Sequence, residues 1–136
     1  MGIREPRWVS RVVVDAIQTD MLITHGGMPG LRDENQLESA LARPKQRFAY
    51  EPTADLAALA AAYGYGLARN HPYNDGNKRI AFVVMAVFLG LNGLEFTASE
   101  ADAVTTIVAL ASGDLDEETL ADWIRLHTAR RKPESR

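Results

Sequence analysis

The sequence predicts an all-α fold, a compact domain of about six helices around a buried central helix. Apolar residues recur at spacings of three and four along most of the chain, the period of one helical face. Capping residues and Gly or Pro stops punctuate that pattern at helix-length intervals, with no repeat, low-complexity tract or long linker between them. The most apolar stretch, Asn77 to Gly90, is longer than usual strands despite its β-branched content, and Asn92-Gly93 ends it as a helix C-cap.

Ser10 caps a first helix, about Arg11 to His25, on which Val13, Ile17 and Met21 recur at spacing four and which Gly26-Gly27 ends. After GGMPGLRD, Asp33 with Gln36 three residues on is a capping-box pattern for a short helix through Ala42, stopped by Pro44. A third helix, about Thr53 to Asn70, carries Leu56, Leu59, Ala60, Tyr63 and Leu67, and its other alanines offer a low-profile face. Helix four starts near Asn77 and is apolar all round, with Ile80, Val84 and Phe88 on one side and Phe82, Met85 and Leu89 on the other. This pattern predicts that it lies at the centre of the fold. Ser99 with Asp102 opens a fifth helix to about Ala111, closed by Ser112-Gly113. Asp116 caps a sixth, with Leu115 and Leu120 as a hydrophobic staple and Trp123 and Ile124 on its inner face. One domain over 1–136 accounts for the chain, with a frayed polar tail from about 131.

Composition narrows the functional classes. With 15 Lys and Arg against 18 Asp and Glu, the charge of −3 disfavours nucleic-acid binding through bulk charge. The chain has no cysteine, so disulfides and Cys-based zinc sites are excluded and the cytoplasm is the expected compartment. The longest apolar run, Ile80 to Leu91, falls short of the roughly 20 residues that span a bilayer, so no membrane role is expected.

Between helices three and four lies His71-Pro72-Tyr73-Asn74-Asp75-Gly76-Asn77-Lys78-Arg79. Pro72 keeps His71 out of a continuing helix, so the chain turns and restarts near Asn77, presenting free first-turn N–H groups to an anion. Gly76 allows close approach to that backbone, and Lys78 and Arg79 add full positive charge. Asp75 is a hard oxygen ligand suited to Mg²⁺ on bound phosphates, and His71 is a titratable base on the rim. The same composition also describes an ordinary turn with a capped helix and solvated cations. The catalytic reading is preferred because a corner leading into so apolar a helix otherwise has little reason to gather two cations, a carboxylate and a histidine.

HPYNDGNKR resembles the signature of the Doc toxins, a branch of the Fic superfamily. GGMPGLRDENQLESALARP, FLGLNG and ALASGDLDEETLADWI resemble further Doc segments, in order, so the similarity runs from helix one to Ile124. One departure is Tyr73, where the family usually has Phe. The resemblance implies a toxin of a toxin–antitoxin pair that uses ATP and Mg²⁺ to transfer the γ-phosphoryl group to a Ser or Thr of a translation factor, elongation factor Tu. It makes His71 the base and Asp75 the Mg²⁺ ligand. Gly76, Asn77 and Arg79 line the anion hole, and Lys78 stands where AMP-transferring relatives have glycine. AMP transfer with the other ATP orientation is the alternative enzyme, and a silent nucleotide-binding module the alternative outside catalysis. No Ser or Thr is followed four residues later by Glu, so the self-inhibiting S/T-x-x-x-E-G/N helix of some Fic proteins is not found in this sequence. The resemblance therefore implies an external brake, a Phd-like antitoxin.

The other prominent side chains have structural explanations. Asp33 is an N-cap and the glycines near Arg32 form turns, so Arg32 and Asp33 are read as structural. Arg43, Lys45 and Arg47 could meet nucleotide or a target protein, but such a cluster is more often a solvated edge, so no role is assigned to them. The eight acidic residues from Glu95 to Asp122 read as a solvent or partner face.

Overall fold

A computed structural model describes residues 5–132, so the tail beyond 132 lies outside the described residues. Among the described residues there are six helices: α1 (Arg11–His25), α2 (Glu34–Tyr50), α3 (Leu56–Asn70), α4 (Asn77–Leu91), α5 (Glu100–Ser112) and α6 (Glu117–Leu126). Two three-residue strands, β1 (Leu94–Phe96) and β2 (Thr128–Arg130), pair antiparallel with Glu95 opposite Ala129. The fold is thus all-α apart from this small ribbon. Its strands are too short to leave an alternating pattern in the sequence.

The helix starts obey local capping chemistry. Ser10 accepts from the Val13 N–H, Asp33 from Gln36, Ser99 from Asp102 and Asp116 from Thr119, each satisfying a first-turn donor. The third helix starts at Leu56, the first residue of its apolar stripe, and not near Thr53, because Asp55 accepts from the Ala58 N–H and caps it. On α1 the inward face is centred on Val14 and Gln18, and Val13 is 40% exposed. The expected Val13, Ile17, Met21 stripe is therefore rotated by about one residue.

Two larger departures shape the molecule. Pro44 does not stop α2, which runs on to Tyr50 with the proline buried inside it. An internal proline costs about 3 kcal/mol through a missing N–H and a ring clash. Tertiary contacts favour continuing the helix past it: Arg47 pairs with Glu117 at 2.9 Å and with Glu118 at 2.9 Å on α6, and Phe48 meets the Trp8 ring edge-on at 5.8 Å. Two members of the basic cluster are therefore ion-paired, whereas Lys45 stays exposed. Arg43 and Arg47 tie α2 to the acidic first turn of α6, which removes Glu117 and Glu118 from any free acidic face.

The most central helix is α3 rather than α4. Eleven residues of α3 are buried against six of α4. Small side chains let neighbours approach α3 from several sides: a Cβ on Gly66 would meet the Ala40 backbone of α2 at 3.1 Å, and one on Gly64 would overlap Met85 of α4. Helix α4 is flanked by α1, α3 and α5 and leaves Lys78, Arg79 and part of Phe82 and Val83 accessible at its N-terminal end. The core is joined by aromatic contacts, with Tyr63 and Phe88 at 5.2 Å and Phe82 and Phe96 at 5.3 Å.

Candidate active site

The loop between α3 and α4 is shaped first by its own sequence. His71 ends α3 in the left-handed region (φ 48°, ψ 56°), the one positive φ of a non-glycine residue among the described residues. Pro72 follows and has no N–H to return to the end of α3. Gly76 starts α4 at φ 79° with no side-chain cap, so the first-turn amides of Asn77, Lys78 and Arg79 keep their donors for something else. Asn77 closes the loop on itself: its Oδ1 accepts from the Tyr73 N–H at 3.0 Å, and its Nδ2 donates to the Tyr73 carbonyl at 2.9 Å. What Asn77 offers the groove is therefore its backbone.

A second segment, residues 27–33, clamps this loop along its length. The N–H groups of Arg32 and Asp33 both donate to the Pro72 carbonyl (2.7 and 3.0 Å), Leu31 bridges Tyr73, and the Asn74 N–H donates to the Gly30 carbonyl at 3.0 Å. Asn74 Nδ2 donates to the Pro29 carbonyl at 3.0 Å. The Arg32 guanidinium donates to the carbonyls of His71 (2.6 Å) and Asn70 (2.7 Å). Asp75 is oriented from both sides, accepting from the Met28 N–H at 3.2 Å and the Gly76 N–H at 2.9 Å. A Cβ on Gly27 would lie 2.8 Å from Asp75 Oδ2, so any side chain there forces that carboxylate or its own segment to shift.

His71, Asn74, Asp75, Gly76, Asn77, Lys78 and Arg79 all line one groove of about 930 Å³. Its other walls come from Met21 and His25 of α1, Phe82 and Val83 of α4, and Glu100, Val104, Ile107 and Val108 of α5. The apolar α5 wall and the Arg32 clamp were not assigned to the site from the sequence. Only GGMPGLRD carried a signal for the clamp, and α5 carried none beyond its helical period. Among the described residues Lys78 and Arg79 form no ion pair, whereas Arg11, Arg43, Arg47 and Arg125 do. Two uncompensated cations thus stand with open amides at the positive end of the α4 dipole, an arrangement suited to a polyanion such as a row of phosphates. Asp75 is an exposed carboxylate with lone pairs left after its two backbone bonds. Among the described residues no three His, Asp or Glu side chains gather as a metal cage. A hard cation at Asp75 therefore needs most of its ligands from phosphate and water, the usual situation of Mg²⁺.

Comparison with known proteins matches residues 8–89 to the Fic/DOC family. The chain is 34% identical over 119 residues to "Protein kinase doc" of Escherichia phage P1, covering 88% of this chain and 94% of that protein. It is 36% identical over 99 residues to "Toxin Doc" of Mycolicibacterium smegmatis, covering 69% of this chain and 76% of that protein. The loop from His71 to Arg79 falls within residues 8–89, whereas the α5 wall of the groove lies beyond them.

Proposed function

The chain belongs to the Fic/DOC family, and on that premise we propose that it is a Doc-like toxin acting as an ATP-dependent protein kinase in the cytoplasm. Its substrate in this reading is a Ser or Thr hydroxyl of a translation factor, elongation factor Tu by family resemblance, and the consequence is arrested translation. The observation that carries the reading is that a rim histidine, one oriented carboxylate, two unpaired cations and an uncapped helix start line the same groove. The names of the two relatives, a protein kinase and a toxin, support it.

In this reaction an imidazole nitrogen of His71 takes the proton of the target hydroxyl, whose oxygen bonds to the γ-phosphorus while the bond to the β,γ-bridging oxygen breaks and ADP leaves. The α4 amides, Lys78 and Arg79 hold the phosphates and offset the charge that builds on the leaving oxygens. Mg²⁺, when bound to those phosphates, supplies further charge neutralisation, and Asp75 is the side chain that would hold it. Most of the acceleration in such a site comes from positioning and electrostatics.

Val104 and Val108 are 57% and 46% exposed along the α5 wall, so the groove continues from its cationic end into an apolar track. A Phd-like antitoxin segment that folds on binding suits such a track. The direct test is incubation with a susceptible cell extract and ATP labelled separately at the α or γ phosphate. Label from the γ position on one translation factor is the expected result. Label from the α position alone would make the enzyme an AMP transferase, and no label from either would leave a nucleotide-binding module.

A further inference from the structure

We propose that Arg32 is the positioning residue of the transfer reaction, holding His71 in the left-handed turn from which its imidazole faces the groove. The proposal rests on the kinase reading of the site. A left-handed helix end is normally closed by N–H groups of the following residues donating back to the last carbonyls. Here the residue after His71 is Pro72, which has no N–H to give. The Arg32 guanidinium takes that place, with Nε donating to the His71 carbonyl at 2.6 Å and Nη2 to the Asn70 carbonyl at 2.7 Å. The Arg32 backbone N–H simultaneously donates to the Pro72 carbonyl at 2.7 Å. One residue therefore grips three consecutive carbonyls, those of Asn70, His71 and Pro72.

The chemistry of the side chain fits this role. A rigid planar fork reaches two adjacent carbonyls at once, which a single ammonium on a flexible stem does not reproduce. Histidine enters the left-handed region more readily than most residues with a side chain but still uncommonly, so the turn at His71 gains from support by its surroundings. Without the fork, the Asn70 and His71 carbonyls are left to water, which fixes no backbone geometry, and His71 is released toward the extended conformations that a residue before proline prefers. The imidazole then leaves the rim while Lys78, Arg79 and the α4 amides, which hold phosphate, stay where they are. Loss of Arg32 should thus separate catalysis from nucleotide affinity.

The experiment compares the parent protein with Arg32→Lys and Arg32→Ala in steady-state phosphoryl transfer and ATP binding. The expected result is a fall in kcat of roughly a hundredfold for Arg32→Ala and roughly tenfold for Arg32→Lys, with ATP affinity within about threefold of the parent. Nitrogen-15 labelling of the 3 histidines supplies a readout that needs no activity. The His71 amide, assigned with His71→Ala, should shift and exchange faster in Arg32→Ala while the signals of His25 and His127 stay in place. An unchanged kcat, or kcat and ATP affinity falling together, would overturn the proposal, as would an unmoved His71 amide. If the parent transfers no γ-phosphoryl group, the kinase reading fails by itself and the histidine spectrum alone decides whether Arg32 holds the turn.

Discussion

The phenolic oxygen of Tyr73 donates a 2.6 Å hydrogen bond to Oδ1 of Asp15, tying the loop that carries His71 to α1. Asp15 is held in turn by Arg11 at 3.0 Å, and Arg11 reaches across to Glu34 on α2 at 2.8 Å. Tyr73 therefore ties its loop to α1 directly and, through Asp15 and Arg11, to α2. Burial and the neighbouring carboxylate both push the Tyr73 phenol above its ordinary range.

Tyr73→Phe should lower stability by about 1 kcal/mol, the net value of one such bond, because the freed Asp15 oxygen remains accessible to water. Asp15→Ala should cost more, about 1–3 kcal/mol, since it leaves the buried Tyr73 hydroxyl without its acceptor. Urea unfolding measures both, and equal stability of parent and Tyr73→Phe would show that the bond contributes nothing net. The pH dependence has a definite sign. The raised folded-state pKa means that Tyr73 stays protonated in the fold after the unfolded chain ionises. Stability is therefore full below the unfolded tyrosine value of about 10 and declines as pH rises above it. Unfolding followed across that alkaline range should show the decline in the parent and less of it in Tyr73→Phe.

His71→Ala should abolish phosphoryl transfer and leave ATP affinity nearly intact, because the imidazole is proposed to act on the target hydroxyl and not on phosphate. Asp75→Ala should instead weaken nucleotide binding only when Mg²⁺ is present. Calorimetry with and without Mg²⁺ separates the two roles. Equal ATP binding by the parent under both conditions would remove the metal role of Asp75.

Gly27→Ala should resemble a mild form of Asp75→Ala. The added Cβ would sit 2.8 Å from Asp75 Oδ2 at a backbone φ of 119°, so the carboxylate or the residue 27–33 segment must shift. A loss of Mg²⁺-dependent affinity of about tenfold is expected, consistent with disturbing a group that supports a metal ligand. An unaltered affinity would mean that the carboxylate relocates without consequence.

Lys78→Gly should lose γ-phosphoryl transfer by about a hundredfold, if a charge-assisted contact of about 3 kcal/mol is made chiefly in the transition state. Single-turnover reactions with α-labelled and γ-labelled ATP measure this. Gain of AMP transfer is permitted and not required, because opening space does not align the α-phosphorus with His71. Unchanged γ-transfer would reduce Lys78 to a solvated cation at a helix start.

The sequence by itself determined what depends on neighbours within a few residues. The caps Ser10, Asp33, Ser99 and Asp116 were legible because each bonds an amide three residues on. The loop from His71 to Arg79 was legible because its charged and turn-forming residues are contiguous. Tertiary structure decided the rest. Pro44 lies buried inside α2, and the helix runs past it to where Arg47 and Phe48 meet α6 and Trp8. The centre of the fold passed to α3 because burial follows how closely neighbours approach, and alanines and glycines admit neighbours that larger apolar side chains keep away. Arg32 lies 39 residues from the His71 carbonyl it grips, and no period or spacing in one chain encodes such a bond. Capping energies act along the chain and can be read there, whereas a guanidinium finds its carbonyls only after the helices between them have packed.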